Sequence, residues 1–180
     1  RTIQYVKTHF NENIVKILFN DKKIFPAAIN IGINNAKGDI LIIAGAHAIY
    51  NKDYISLSVK YLTNNDVENV GGYVLQKWPD TSYVGGSIIT ALSSTFGVGS
   101  SVYRTAKSDT LEFVDTVFGG CYKKSVFNEI GLFNENFIYS SDIEFNYRLR
   151  KNGGRILFVP EIESTYYYKK DRTKYISFIK

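Results

Sequence analysis

The sequence predicts one α/β domain whose sheet is mostly parallel and flanked by helices. Short apolar runs of strand length alternate with segments whose apolar residues recur at helical spacing. Glycine and proline fall between these segments. The chain has 180 residues, 44% hydrophobic and 15% aromatic, which is enough for one core and too apolar for disorder.

The elements follow in order. Residues 14–19, IVKILF, suit a buried strand. In FPAAINIGINNAKGD, Pro26 fits a first helical turn, Ile29, Ile33 and Ala36 share a face, and Gly38 marks the stop. DILIIA (39–44) reads as a second buried strand, and residues 52–65 as a helix with Ile55, Val59 and Leu62 on one side. ENVGGYVLQ (68–76) is a third strand carrying a glycine pair. Residues 85–101 suit a helix ending in a glycine-rich loop, and 113–124 a strand with a second glycine pair leading into the short helix SVFNEIG. RILFVP (155–160) is a strand closed by Pro160, and the tail STYYYKKDRTKYISFIK mixes aromatics with bases.

Composition narrows the function. The net charge of +5 comes from scattered Lys and Arg with no Arg-rich run, which argues against nucleic acid and toward anionic small molecules or a membrane surface. The single Cys121 forms no internal disulfide and fits a small apolar core position. No apolar run approaches the ~20 residues of a membrane-spanning helix. Methionine is absent and the sequence opens at Arg1, so residues 1–180 are expected to be part of a longer domain.

The segment YSSDIEFNYRLRKNGG (139–154) concentrates the acidic chemistry. Ser141 and Glu144 are spaced as a capping box, and Asp142 falls in the first turn, where the helix dipole favours an anion. Glu144 and Arg148 stand at i, i+4, Phe145 and Leu149 form an apolar stripe, and Gly153 follows as a stop. Two readings of these carboxylates stand side by side: helix capping, or a base at the mouth of an α/β sheet.

Six stretches in order, AAINIGINNAKGDILII, HAIYNKDYI, VENVGG, FGVGSSVYRT, VDTVFGGCYKKSVFNEIGLFNENF and SSDIEFNYRLRKNGGRILFVP, give the chain a family likeness. Together they resemble the family-2 glycosyltransferases of the GT-A, Rossmann-like fold, and are most similar to the succinoglycan-biosynthesis branch. The resemblance implies an inverting transfer of sugar from a nucleotide-sugar donor to a glycan or lipid-linked acceptor in polysaccharide biosynthesis. Asp142 matches the acceptor-deprotonating Asp, in a family that often has Glu where Ser141 stands. Glu144 matches the next acidic position. The family's metal-binding D-x-D, or D-x-H in this branch, falls on Gly45, Ala46 and His47. It leaves His47 as the expected ligand for Mn²⁺ or Mg²⁺, with a loop histidine at a strand end as its other reading, and Gly45 in place of the first Asp.

On the same likeness Asn30 is a donor-binding candidate, with a helix-to-loop hydrogen bond as its other reading. Asp115, Gly119 and Gly120 are acceptor-side candidates, with a turn cap and a strand bulge as their alternatives. The family's opening base-gripping segment has no counterpart in residues 1–25, so donor binding and metal binding by this chain are expected to be weak or absent. The alternative function is a catalytically degenerate, non-enzymatic nucleotide-sugar or glycan-binding domain. The tyrosines and lysines of the tail suggest a membrane–water interface, hence a cytoplasmic protein peripheral at the inner face of the cell membrane. They also suit a final strand leading into a solvated helix.

Overall fold

The computed structural model describes residues 2–78, 82–95, 102–105 and 109–168. In chain order the helices are α1 (Thr2–His9), α2 (Phe25–Asn35), α3 (Tyr54–Asn64), α4 (Tyr83–Leu92), α5 (Val102–Thr105), α6 (Ser125–Glu129) and α7 (Ser141–Lys151). The strands are β1 (Ile40–Ile42), β2 (Ala48–Tyr50), β3 (Asn69–Lys77), β4 (Glu112–Phe113), β5 (Cys121–Lys123) and β6 (Ile156–Tyr167).

They form one sheet in the order β1-β5-β3-β6-β2, with β4 also on β6. The longest ladder, β3 on β6, is parallel, and every other pairing is antiparallel. The sheet is therefore mixed where the sequence suggests mostly parallel. The physical reason is connectivity. β1, β3 and β6 all run one way, since β5 is antiparallel to both β1 and β3. The short strands β2 and β5 follow links without a described helix and insert in the opposite sense, and β4, which follows α4 and α5, also pairs antiparallel with β6.

Alternation along the strands separates two cores. Tyr122 and Ile156 face α2, α6 and α7 with Ile33, Phe127, Phe133, Phe145 and Leu149. Phe133 and Phe145 stack with ring centroids 4.4 Å apart. Cys121 and Leu157 point the other way, into a core with Tyr54 and Leu62 of α3, Val70, Val159 and Ile162. Burial pushes the Cys121 thiol up to about 12, so it stays a neutral apolar core group, as expected.

Other expectations meet corrections. Residues 14–19 pair with no strand among the described residues and stay irregular, with Ile14 and Phe19 exposed. An apolar run needs a neighbouring strand to become sheet. The expected 113–124 strand is split, because Gly119 and Gly120 take positive φ (+69° and +93°) and turn the chain between β4 and β5. Pro160 does not close its strand: β6 runs on to Tyr167 through a register shift opposite Gly72/Tyr73, where proline's missing N–H is tolerated. The glycine-rich end of 85–101 and the basic part of the tail lie outside the described residues.

Candidate active site

Three segments meet at one end of the sheet: the 43–47 loop after β1, the 114–120 loop before β5, and the first turn of α7. Ile43 N–H donates to Gly120 O at 3.0 Å, tying the first to the second. A Cβ on Gly119 would stand 2.5 Å from Ile43 O, so the close approach requires glycine there. Thr116 joins the second to α7 by accepting from Asn146 Nδ2 at 2.8 Å.

α7 begins differently from the expected capping box. Ser140 is the N-cap, in left-handed geometry (φ +57°), and its side chain makes no cap hydrogen bond. Ser141 is buried and helical. A non-glycine residue held left-handed is uncommon and costs on the order of 1 kcal/mol, so the surrounding fold imposes this entry angle. The far end follows the sequence: Gly153 (φ +85°) donates to Arg150 O at 3.0 Å and Gly154 to Leu149 O at 3.0 Å, a Schellman stop.

The two carboxylates of the first turns part company. Glu144 grips Arg148 with two hydrogen bonds, Nε to Oε1 at 2.5 Å and Nη2 to Oε2 at 3.0 Å. Arg148 also donates to Ile130 O at 2.6 Å and Leu132 O at 2.8 Å, stitching α7 to the preceding loop. Glu144 is thus an anchor for Arg148. Asp142 is half-buried, sits at the positive end of the helix, and has no side-chain hydrogen bond or ion pair among the described residues.

The remaining candidates divide. Gly45 N–H donates to the Tyr50 hydroxyl at 2.6 Å, while Ala46 and His47 are exposed on the turn. His47 meets the edge of Tyr166, centroids 6.5 Å apart. No group of three His, Cys, Asp or Glu side chains able to hold a metal occurs among the described residues. Among the described residues His47 is a single exposed imidazole. Asp115 is exposed and pairs with Arg150 at 2.9 Å, bridging the 114–120 loop to α7. Asn30 clasps the Phe133 backbone from both sides, Nδ2 to O and Oδ1 from N–H, each 2.9 Å, which is the helix-to-loop role.

Sequence reasoning passed over Asn146, Tyr122, Thr116 and Asn69, which form a buried polar cluster beneath the α7 turn. The available signal was Asn146 one helical turn after Asp142 on the face that carries Leu149. Of the tail tyrosines, Tyr166 and Tyr168 turn into an aromatic group with Phe118 and Trp78, and Tyr167 is the exposed one.

Comparisons with known proteins bear on this arrangement. The family model described as Glycosyl transferase family 2 matches residues 1–131, a span that stops short of Asp142. The chain is 34% identical over 176 residues to the dolichyl N-acetyl-alpha-D-glucosaminyl phosphate 3-beta-D-2,3-diacetamido-2,3-dideoxy-beta-D-glucuronosyltransferase of Methanococcus voltae, covering 94% of this chain and 53% of that protein. It is 28% identical over 155 residues to the succinoglycan biosynthesis protein ExoA of Rhizobium meliloti (strain 1021), covering 85% and 46%. The chain thus spans about half the length of these curated relatives. Among solved structures, GalNAc-T7 with UDP, GalNAc and Mn²⁺ superposes with a TM-score of 0.67 at 16% identity, covering 94% of this chain and 35% of that one. That likeness establishes the GT-A-type fold.

Proposed function

The chain belongs to glycosyl transferase family 2, and from that premise we propose that it carries the catalytic base and a donor-side loop of an inverting glycosyltransferase using a nucleotide-sugar donor. The observation that carries this reading is the unengaged, half-buried carboxylate of Asp142 at the N-terminus of α7. In an inverting transfer the acceptor hydroxyl attacks the anomeric carbon while the nucleoside diphosphate departs from the opposite face. A carboxylate within ~2.6–3.2 Å of that hydroxyl takes its proton as the bond forms. Glu144, held by Arg148, is unavailable for this, so Asp142 is the base and Glu144 keeps its helix in place.

Gly119 and Gly120, at positive φ in the loop tied to the α7 turn through Thr116, are the proposed acceptor-side backbone. Asp115 stays beside them through Arg150. Gly45, Ala46 and His47 are the proposed donor-side loop. A divalent cation, Mn²⁺ or Mg²⁺, would stabilise the leaving diphosphate, and His47 is the one ligand this loop offers it. The acceptor class proposed is a glycan or lipid-linked sugar, consistent with relatives named for a dolichyl phosphate substrate and for succinoglycan biosynthesis. Placement at the inner face of the cell membrane is part of the proposal, resting on Tyr167 and the basic tail.

The test is transfer or donor hydrolysis with Mn²⁺ and a panel of nucleotide sugars. Asp142→Asn lowers the rate by ~10²–10⁴-fold with an unchanged melting temperature. Glu144→Gln frees Arg148 and destabilises the fold by ~1–3 kcal/mol. An Asp142→Asn rate equal to wild type removes Asp142 from the role of base.

A further inference from the structure

Asn146 lies four residues beyond Asp142 on α7 and is completely buried. Residues at this spacing share a helix face, so whatever fixes Asn146 also fixes the turn that carries Asp142. Its amide is hydrogen-bonded to three separate pieces of the fold. Nδ2 donates to Thr116 Oγ1 at 2.8 Å, in the loop that leads to the glycine pair. Oδ1 accepts from the Tyr122 hydroxyl on β5 and from Asn69 Nδ2 at the start of β3, each at 3.2 Å.

The far end of the same loop rests on the same cluster. A Cβ at Gly120 would lie 2.6 Å from the Tyr122 ring and 2.7 Å from Asn69 Oδ1. Gly120 O in turn accepts from Ile43, two residues before Gly45. Burial first, and the Asp142 charge second, push the Tyr122 phenol up, so it remains a neutral donor under the helix turn.

We propose that Asn146 is a positioning residue. It locks the α7 turn bearing Asp142 to the Thr116–Gly120 loop and, through Gly120, to the 43–47 loop. The lock keeps base, glycine pair and donor-side loop in one relative placement during turnover. Its kinetic consequence rests on the transferase reading above. Misplacing a reacting group by about 1 Å is enough to cost roughly 10²-fold in rate.

The experiment compares wild type, Asn146→Leu, Thr116→Val and the double variant by amide hydrogen exchange and steady-state kinetics. Asn146→Leu raises exchange in residues 114–120 and 140–144 by roughly tenfold or more while α3 keeps wild-type protection. It lowers kcat by roughly 10–100-fold with the donor KM within about twofold. The double variant is no worse than Asn146→Leu alone, because both changes break one link. Thr116→Ser, which keeps the acceptor oxygen, restores the loop's protection. If Asn146→Leu does not fold, Thr116→Val carries the test, since it leaves the Asn69 and Tyr122 bonds in place. Unchanged exchange, raised exchange with an intact kcat, or additive losses in the double variant overturn the lock. A wild-type chain that transfers no sugar overturns the transferase reading, and the exchange comparison, which needs no turnover, still decides the lock.

Discussion

Gly45 shows how one side chain separates a scaffold from a complete metal loop. A Cβ at this position would meet nothing closer than 3.8 Å, from the Phe118 ring and the Tyr50 hydroxyl, and the backbone is not left-handed there. The site therefore has room for the aspartate that the family likeness leads one to expect. Gly45→Asp, two residues from His47, adds an oxygen ligand beside the imidazole. Calorimetry with Mn²⁺ alone is expected to give tighter binding than wild type by roughly tenfold, or about 1.4 kcal/mol. Equal affinity for both proteins would place the 45–47 turn outside any metal-binding geometry. At this scale the sequence made Asp142 and Glu144 visible as a pair but not their division of labour. That depends on Arg148 reaching Ile130 and Leu132, carbonyls 18 and 16 residues away.

The β3–β6 ladder shows what an element owes to its partner. Val159 lies opposite Gly72 and Glu163 opposite Tyr73, so the segment around Pro160 bulges out of register. The bulge passes so close over β3 that a Cβ on Gly72 would meet Val159 O at 2.5 Å and collide outright with Ile162 O. Gly71, next to it, admits Val117 in the same way from the 114–120 loop. Gly72→Ala therefore has to displace backbone, and is expected to destabilise the fold by about 3 kcal/mol, read as a lowered urea midpoint with the slope unchanged. A midpoint within error of wild type would mean that the bulge yields freely. The sequence displayed the glycine pair and the proline. Their meaning, two halves of one close contact, required the strands to be paired.

For the whole molecule, a link 105 residues long in sequence closes the helical side. Asn30 on α2 holds the Phe133 backbone and reaches Glu135 Oε1 at 3.2 Å, while Lys22 bonds the same carboxylate at 2.5 Å. The Lys22 hydrogen bond first, and Asn30 second, hold the Glu135 carboxyl below its ordinary value of 4.5. A carboxyl with a depressed folded value stabilises fully above its unfolded value and loses that contribution as pH falls through the folded one. Denaturation of wild type and Glu135→Gln across about pH 7 to 3 is expected to show a small wild-type advantage that is constant above roughly pH 5 and fades as pH falls on through the folded value. A pH-independent difference would separate Glu135 from the ionic link. The exposed setting keeps the effect small.

By itself the sequence determined the α/β rhythm, the α2 and α3 helices, the β3 strand, the Schellman stop of α7 and the acidic turn at Asp142. All of these depend on spacing within a dozen residues, where periodicity, capping and turn chemistry act. The tertiary structure alone decided that 14–19 would find no partner strand among the described residues, that short strands would enter antiparallel, and that β6 would run through Pro160. It also decided that Glu144 would be bound while Asp142 stayed unengaged among the described residues, and that Asn146 would join three distant segments. Those outcomes depend on hydrogen bonds and close contacts between residues far apart in the chain, which local pattern does not encode.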